Sequence, residues 1–524
     1  MEEGRTLHCP SLFPALVIIT NGSCGALYLP IDILSPILEQ LSDARDWYSC
    51  TLVNKTFNKA ATPLLYRTLD SKIVRKDLVH HPASTILQRP DLAQYVRRVT
   101  ESGSVHRRVM DGVGKVTQDA LEVLALCTSL RSFTWTNDTM TRSFTLIPFL
   151  DVIKKLPRPL EELKIRVHND PDQQVWDELH KISGLRKISI WCMEGPPRVL
   201  RGWSERLGPT LTHLELGRCA GVPPTILIAV LMDLPKLENL CLKGAPASAI
   251  TSILAVLPNL KFLDTEYLPS VRSRGPPQSA KQPKLQNLIV RTSSADYLGP
   301  GKLWTWIHEL LPGPEASLQS FSLHAFILSV MGKGRVAVPR GVMLELGRVH
   351  GTTLRQVLLG DAQLTLADIE CMCEMCPQLE VLACCTVVEI SKLDSVKKAI
   401  ACAKNLRTLT LYIVWIPALK ITESKSPFTL EVARDWMLRS EDSCLRYIAV
   451  NDLYFVGKWV LKETNEDPSI EVEPANITKT TRLKKREKKP EESRKSRREF
   501  VVTIDQPKDR WYMRFGSEFG LTKT

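Results

Sequence analysis

Twelve short segments between Leu130 and Val450 share one arrangement of leucines, and this repeat constrains the fold more than any other feature of the chain. The clearest copy runs from Leu211 to Cys219 and reads Leu-x-x-Leu-x-Leu-x-x-Cys. The copies begin at Leu130, Leu160, Leu185, Leu211, Leu237, Leu260, Leu285, Leu318, Leu354, Leu379, Leu406 and Leu445. Most successive copies are 23 to 30 residues apart, the period typical of leucine-rich repeats, and twelve copies in order argue against chance.

The alternation within each copy predicts which side chains are buried. Alternate side chains of a strand point to opposite faces, so the three leucines of the copy at Leu237 should enter the core. Glu238, Asn239 and Cys241 should then face the concave side. No single repeat can bury its own apolar face, so neighbouring repeats must stack into a solenoid.

The segments between the strands predict the outer layer. Residues 224–234 and 246–257 both open with proline, which suits the first position of a helix, and both read as amphipathic helices. The copies at Leu285, Leu318 and Leu406 carry long insertions, and the Pro-, Gly- and Ser-rich stretch after the copy at Leu260 is a predicted loop. The predicted fold class is α/β: an irregular leucine-rich-repeat solenoid over residues 116–460, with parallel strands on the concave face and helices and loops outside.

Residues 27–70 predict a small helical unit, which follows a poorly defined segment at 1–26 and precedes a connecting region at 71–115. Asp32 can cap or charge the start of a first helix, along which Ile33, Leu34, Ile37, Leu38 and Leu41 recur at helical spacing. A second helix is predicted over residues 45–53 and a third from 54 to about 65. Three short helices make a marginal core, so much of their apolar surface needs a partner.

The same residues resemble an F-box. The matching elements are Leu29-Pro30, Ile33-Leu34, Ile37-Leu38, Leu41, Leu52-Val53-Asn54-Lys55, Phe57 and the stretch from Ala60 to Leu69. Together with residues 89–97, the ending Pro-Leu-Leu-Tyr-Arg is similar to fungal F-box proteins with degenerate leucine-rich repeats. Trp47 departs from that pattern, because the family usually has an aliphatic or small polar residue between its first two helices.

This resemblance implies a function without an active site. F-box proteins bind the Skp adaptor of a cullin–RING (SCF-type) ubiquitin ligase and hold a protein substrate on their repeats. The adaptor-binding residues would be Leu29, Pro30, Ile33, Leu34, Ile37 and Leu38. For Leu34, Leu38 and Leu41, packing inside the three-helix unit is an equal alternative. The competing hypothesis is an interaction scaffold whose helices only cap the solenoid.

Substrate contacts are predicted by geometry alone, on the concave face of the repeats. The candidates are Glu161, Glu162, Lys164, Arg186, Lys187, Thr212, His213, Glu215, Glu238 and Asn239. These side chains mix both charges, so they predict no substrate class.

Motifs that might carry catalysis fail on inspection. Residues 111–117 lack the first glycine of a phosphate-binding loop, because Val109 occupies its position, and Val116 replaces the hydroxyl that would hold magnesium. Cys371 and Cys373 point about 200° apart on a helix, so with Cys376 they do not form a zinc site. No histidine falls in a catalytic motif, so we expect no enzyme activity, no metal site and no cofactor.

Composition limits the compartment. The fourteen cysteines are scattered among apolar residues, which is typical of reduced core thiols in the cytoplasm or nucleus. No apolar run is long enough for a membrane span, and residues 12–20 lack the basic start of a signal peptide. We therefore expect neither a membrane protein nor a secreted one.

The net charge of +12 is concentrated in one segment. Residues 482–498 hold ten Lys or Arg and three Glu, a net +7. The two basic clusters fit a bipartite signal for a nuclear import receptor: Lys484, Lys485, Arg486, Lys488, Lys489, Arg494, Lys495, Arg497 and Arg498. The alternative is a solvated, disordered basic tail over 461–499, and nucleic-acid binding is not expected. Within the uncertain segment 500–524, residues 500–505 read as a strand.

Overall fold

A computed structural model describes ten ranges of the chain: residues 30–75, 78–110, 115–137, 146–268, 282–292, 301–311, 317–325, 337–416, 427–463 and 496–505. The predicted loop after the copy at Leu260 lies largely outside these ranges, as do most of the insertions after Leu285, Leu318 and Leu406 and the basic residues 484–495. Among the described residues, no helix is long and apolar enough to cross a bilayer.

The N-terminal unit contains the three predicted helices, α1 (Ile31–Leu38), α2 (Ala44–Thr51) and α3 (Lys55–Leu65). Short polar side chains start two of them by accepting hydrogen bonds from otherwise unpaired backbone N–H groups. The Asp43 carboxylate accepts from the Arg45 N–H at 2.9 Å, and the Asn54 side chain accepts from the Phe57 N–H at 2.9 Å. Asp32 lies in the first turn of α1, where its charge favours the helix N-terminus.

A 16-stranded sheet forms one layer of the remaining chain. Its strands follow the order β1 (Thr68–Asp70), β4 (Arg98–Ser102), β5 (Ser132–Asn137), β6 (Glu162–Val167), β7 (Lys187–Cys192), β8 (His213–Leu216), β9 (Asn239–Leu242), β10 (Phe262–Glu266), β11 (Asn287–Thr292), β12 (Ser320–Ala325), β13 (Gln356–Gln363), β14 (Val381–Glu389), β15 (Thr408–Ile416), β16 (Tyr447–Val450), β17 (Leu453–Glu463) and β18 (Ser496–Asp505). A separate antiparallel pair is made by β2 (Lys72–Arg75) and β3 (Leu78–His80).

Every one of the twelve leucine segments produces a strand of this sheet that begins two residues after its first leucine. From β1 to β16, neighbouring strands pair in parallel and in sequence order. In the copy at Leu237 all three leucines are fully buried, as the alternation predicts. The predicted fold class, a three-helix module followed by an irregular α/β solenoid, is confirmed.

The solenoid begins earlier than the predicted residue 116. Strands β1 and β4 belong to the sheet, so the region 71–115 is not merely a connection. Their segments carry the repeat in altered form: in Val96-x-x-Val99-x-Glu101, a buried carboxylate occupies the position of the third leucine.

Helices form the second layer, on the side of the sheet opposite the concave face. They are α4 (Ala83–Gln88), α5 (Gly103–Met110), α6 (Lys115–Leu126), α7 (Leu146–Lys154), α8 (Asp172–Leu179), α9 (Ser204–Leu207), α10 (Pro224–Met232), α11 (Ala247–Val256), α12 (Gly301–Leu310), α13 (Arg340–His350), α14 (Leu366–Met375), α15 (Leu393–Ala399) and α16 (Leu430–Met437), with 3₁₀ turns at Pro90–Tyr95 and Ile390–Lys392. The two helices predicted from proline-led segments are α10 and α11. Buried apolar residues from Leu69 to Val502 form one continuous core.

The cysteines of the described residues are free thiols, and most of them are buried. Burial raises the pKa of Cys127, Cys219 and Cys373 to about 12, so these thiols stay protonated. Cys371 and Cys373 both lie on α14, as the argument against a zinc site assumed.

The C-terminal end of the sheet reverses direction. Asn451 has a φ of +52°, and its side chain accepts from the Ile413 N–H at 2.9 Å, while β17 and β18 run antiparallel. Strand β18 begins at Ser496, so residues 496–499 belong to the sheet and not to the predicted tail at 461–499. Arg497 and Arg498, assigned to the import signal, therefore lie in a paired strand.

We expect Leu240→Ala to lower the free energy of unfolding by about 2–5 kcal/mol, because it leaves a cavity in the fully buried core. The half-exposed neighbour Glu238→Ala is the matched control and should change the free energy of unfolding by less than about 0.5 kcal/mol. Urea denaturation of both variants checks the assignment of faces, and equal effects of the two substitutions would contradict it.

Candidate functional site

The N-terminal module has a small core between α1 and α3. Leu34 and Leu38 are buried there against Ala60, Ala61 and Leu64. Residues four apart share one helix face, so these two leucines point into the module together. The prediction that Leu34 and Leu38 contact an adaptor is therefore corrected: their side chains are internal packing residues, 1% and 3% exposed.

The same module also exposes large apolar side chains. Ile33 and Ile37 also lie four residues apart on α1, and they are 53% and 52% exposed. On and just after α2, Tyr48, Leu52 and Val53 are more than half exposed as well. This much exposed apolar surface on so small a unit is typical of a binding surface. Of the remaining predicted adaptor contacts, Pro30 is exposed and Leu29 lies outside the described residues.

Trp47, the aromatic residue that departs from the F-box pattern, has a structural role in the module. Its indole is half-buried against the module core, and its Nε1–H donates to the Leu38 carbonyl at 2.9 Å. The Leu38 carbonyl, at the end of α1, also accepts from the Leu41 N–H at 3.1 Å. Trp47 is therefore a packing residue that ties α2 to the end of α1.

On the concave side, the strand register aligns polar side chains in rows. One row crosses the sheet through Arg98, Ser132, Glu162, Lys187, His213 and Asn239. A second row, two residues further along each strand, passes through Thr134, Lys164, Ser189, Glu215 and Cys241. Both rows face away from the leucine core, as the alternation requires.

A groove of about 510 Å³ lies where the helical module meets the first strands, and we name it the junction groove. Its lining is Glu39, Pro63, Leu64, Arg67, Tyr95, Arg97, Arg98, Arg131, Ser132, Glu161, Glu162, Arg186, Lys187, Thr212 and His213. Six of these residues are cationic and three are acidic. Arg67, Arg97 and Arg98 lie outside the predicted set, because the leucine spacing does not predict strands β1 and β4. Arg131 and Ser132 lie at the predicted strand β5 but are not among the predicted contacts.

A smaller groove of about 250 Å³, the central groove, continues along β6 to β10. Its polar lining includes Lys164, Glu215 and Asn239 from the predicted set. The Glu215 carboxylate accepts from the Ser189 hydroxyl at 2.5 Å through one oxygen, while its other oxygen is buried without a hydrogen bond. His213 lines both grooves, and burial lowers the pKa of its imidazole, with a further contribution from Lys187.

Further along the concave face, cations pair with a buried carboxylate. The Asp264 carboxylate is fully buried and accepts from Lys243 Nζ at 2.9 Å and from Arg291 Nε at 2.9 Å. Burial lowers the pKa of Lys243, as it lowers the pKa of nearby His324 to about 4. Both cations here are paired with a buried carboxylate, whereas cations outnumber acids in the lining of the junction groove.

Two histidines and a glutamate meet beside the first strands, a cluster that the sequence did not reveal. Glu101 Oε2 lies 3.2 Å from His81 Nε2 and 2.9 Å from His106 Nε2, and all three side chains are nearly buried. Burial acts to raise the pKa of Glu101, but hydrogen bonds from His106 and His81 outweigh it, so the pKa is lowered. Within the described part of the chain, this is the one group whose donors are spaced to hold a metal ion.

The hydrogen bonds of His81 indicate that the two histidines donate to Glu101 and do not bind a metal ion together with it. Its Nδ1 accepts from the Ala83 backbone N–H at 3.1 Å, so the neutral ring carries its proton on Nε2, which faces Glu101. A metal ligand needs an unprotonated nitrogen facing the ion and normally donates from its other nitrogen. His106 Nδ1 lies 3.1 Å from the Thr117 hydroxyl. The cluster therefore compensates a buried carboxylate at a position where other repeats carry leucine.

Comparison with known proteins identifies the helical module. Residues 26–72 match the F-box-like family. The match covers helices α1 to α3, which we call the F-box-like module, and strand β1 of the sheet. No curated protein matches the chain by sequence.

Two solved structures resemble the chain remotely. The first is the complex of Rad7 and Elc1 from yeast, with a TM-score of 0.39 and 14% sequence identity over 73% of this chain and 88% of that chain. The second is a protein from Bacteroides fragilis, with a TM-score of 0.17 and 13% identity over 63% of this chain and 64% of that chain. At these values neither likeness bears on function.

The structure brings most of the predicted substrate contacts together at the two grooves. Glu161, Glu162, Arg186, Lys187, Thr212 and His213 line the junction groove, and Lys164, Glu215 and Asn239 line the central groove. Glu238 lines neither groove and pairs with Lys261 at 3.0 Å. Most of the predicted substrate-contact residues therefore line one of two grooves in the same part of the sheet.

We expect Glu101→Gln to lower the free energy of unfolding by about 2–3 kcal/mol at pH 7, because a neutral amide loses the charge-assisted hydrogen bonds and places an NH₂ donor against the Nε2–H of His81. The folded-state pKa of Glu101 is lowered, so its contribution is present above the unfolded-state pKa and is lost as the pH falls through the folded-state pKa. Urea denaturation from pH 7 to pH 3 should show the wild type converging on the variant. A constant difference across that range would contradict the ionised carboxylate.

We also expect Zn²⁺ to leave the thermal midpoint unchanged, because His81 presents a protonated nitrogen to the cluster. Differential scanning fluorimetry with and without Zn²⁺ measures this, with His81→Gln as the control. A rise in the wild type that is absent in the variant would instead establish a metal site.

Proposed function

We propose that this protein is a substrate receptor of an SCF-type ubiquitin ligase. Its F-box-like module would bind the Skp adaptor, and through it the cullin. The solenoid would bind a protein substrate on its concave face. The receptor itself would carry no active site, and ubiquitin transfer would be performed by other subunits.

The observation that carries this proposal is the apolar surface of the F-box-like module. Ile33 and Ile37 on α1, with Tyr48, Leu52 and Val53, leave large side chains in water that the module's own core does not use. Burying such surface against a partner gains about 25 cal/mol per Å² of apolar area. If the module merely capped the solenoid, the alternative hypothesis, these side chains would be expected to pack against the first repeat.

The function of the solenoid would be proximity. A substrate held in the grooves has a high effective concentration near a catalytic partner that is attached through the adaptor. The junction groove is lined by Glu39, which follows α1, and by Arg67, which follows α3, as well as by solenoid residues. A substrate bound there would therefore lie close to the adaptor.

We extend the proposal to location in the cytoplasm and nucleus. Import would depend mainly on the cluster from Lys484 to Lys489, since Arg497 and Arg498 are engaged in the β17–β18 pair. Fluorescent fusions of the wild type and of a variant with these lysines and arginine changed to glutamine would measure it. Equal nuclear signal in both would overturn this extension.

We expect Ile33→Asp and Ile37→Asp each to weaken adaptor binding by about 30-fold or more, equivalent to about 2 kcal/mol, because a charge would replace an apolar contact. Titration calorimetry of the full chain with purified Skp adaptor measures this effect. Met232→Asp is the matched control, since Met232 is an equally exposed apolar residue on α10.

Circular dichroism of the three variants should match the wild type, because none of the changed side chains is buried. If the folded wild-type chain does not bind the adaptor, the receptor proposal fails and a repeat scaffold remains. If it binds but the two isoleucine variants bind equally well, the assigned surface is wrong.

A further inference from the structure

The junction groove places arginines on successive strands at a fixed spacing. The Arg67 carbonyl accepts from the backbone N–H groups of Arg97 and Arg98 at 2.9 and 3.1 Å, and the Arg97 carbonyl accepts from that of Arg131 at 2.9 Å. The next two strands continue with Glu161 and Arg186 in the same position. Since neighbouring strands lie about 4.8 Å apart, this row runs for about 19 Å along the rim of the groove.

Most cations that line the junction groove are not paired with a carboxylate. Arg131 lies 3.9 Å from Glu161, and Glu162 is engaged by Lys164 at 3.0 Å. Among the described residues, Arg67, Arg97, Arg98, Arg186 and Lys187 form no ion pair with a carboxylate. Near Asp264, in contrast, the cations of the concave face converge on a buried acid.

The crowding of like charge is visible at Arg97. Its guanidinium donates to the Gln94 carbonyl at 2.7 Å, which holds it beside its cationic neighbours. Burial lowers the pKa of Arg97, and the charges of Arg131, Arg158 and Arg67 lower it further. An assembly that holds like charges together at a cost in stability gains when an anion binds between them.

The acidic residues of the groove favour an acidic peptide over a nucleic acid as the bound anion. Glu161 interrupts the row between Arg131 and Arg186. Glu162 lies in the neighbouring row between Ser132 and Lys187, and Glu39 lies at the module side. A nucleic acid carries a charge on every phosphate and would meet these carboxylates in repulsion. A peptide can place a neutral or basic residue at that point and acidic residues on either side.

We propose that the junction groove binds an acidic, Asp- and Glu-rich segment of a protein. About six extended residues span the row from Arg67 to Arg186, since each covers about 3.3 Å. The assignment rests on the proposed receptor function, because it names the chemical class of the substrate that the solenoid would present.

The test is fluorescence anisotropy with the full chain and a labelled twelve-residue peptide of alternating Glu and Ser. A peptide of alternating Gln and Ser is the control probe. We expect binding of the Glu peptide, at least tenfold tighter than that of the Gln peptide and weakening as salt is raised. Equal binding of the two peptides, or none of either, would overturn the proposal.

Charge reversal locates the site. Arg98→Glu and Arg186→Glu change exposed side chains, and each should weaken binding of the Glu peptide tenfold or more. Arg407→Glu is the matched control, because Arg407 is exposed and occupies the equivalent position before β15, outside the groove. Equal losses in all three variants would mean general attraction to a basic protein, and would overturn the assigned groove.

The same variants separate this inference from the proposed function. Arg98→Glu and Arg186→Glu should keep full affinity for the Skp adaptor, whereas Ile33→Asp should lose the adaptor and keep the peptide. Adaptor binding without peptide binding would overturn the inference alone. A single-stranded oligonucleotide that displaces the peptide at lower concentration than unlabelled peptide would also overturn it, in favour of a nucleic-acid ligand.

Discussion

One backbone hydrogen-bond pattern supports the whole solenoid. Just before each parallel strand, a carbonyl accepts from two successive N–H groups of the next repeat. The pattern starts at the Arg67 carbonyl, repeats at every strand, and ends where Arg407 accepts from Arg446 and Tyr447. It fixes the register of neighbouring repeats, so the leucines stack in the core and the alternate side chains form rows outside. Glu101 can replace a leucine because these hydrogen bonds are made by the backbone and do not depend on which side chain is buried.

The same pattern connects the two parts of the protein. Strand β1 begins three residues after α3 ends, and Arg67 between them is the first acceptor of the series. The F-box-like module therefore leads into the sheet without a linker, and its last residues form one wall of the junction groove. Recognition by the module and recognition by the solenoid meet at one surface.

The twelve leucine-repeat strands can be predicted from the sequence, but the two strands at the N-terminal end of the sheet cannot. All twelve strands followed from leucine spacing, because burial of alternate side chains is a local rule. Strands β1 and β4 were missed since Tyr66, Ser71 and Glu101 occupy leucine positions, and the arginines beside them were missed in turn. On α1, Ile33 with Ile37 and Leu34 with Leu38 have the same spacing, so only tertiary packing shows which pair faces water. Contacts between distant residues, such as His81 with Glu101, leave no mark in local spacing.

The reversal at Asn451 limits how such a protein can change in length. Duplication of an internal repeat preserves the direction of every strand, and the two new junctions are copies of existing ones. A repeat added after Val450 would have to displace β17, which already pairs with β16 in the opposite direction. Gene duplication can therefore add repeats only in the interior of such a solenoid, while the elements at its two ends remain single copies.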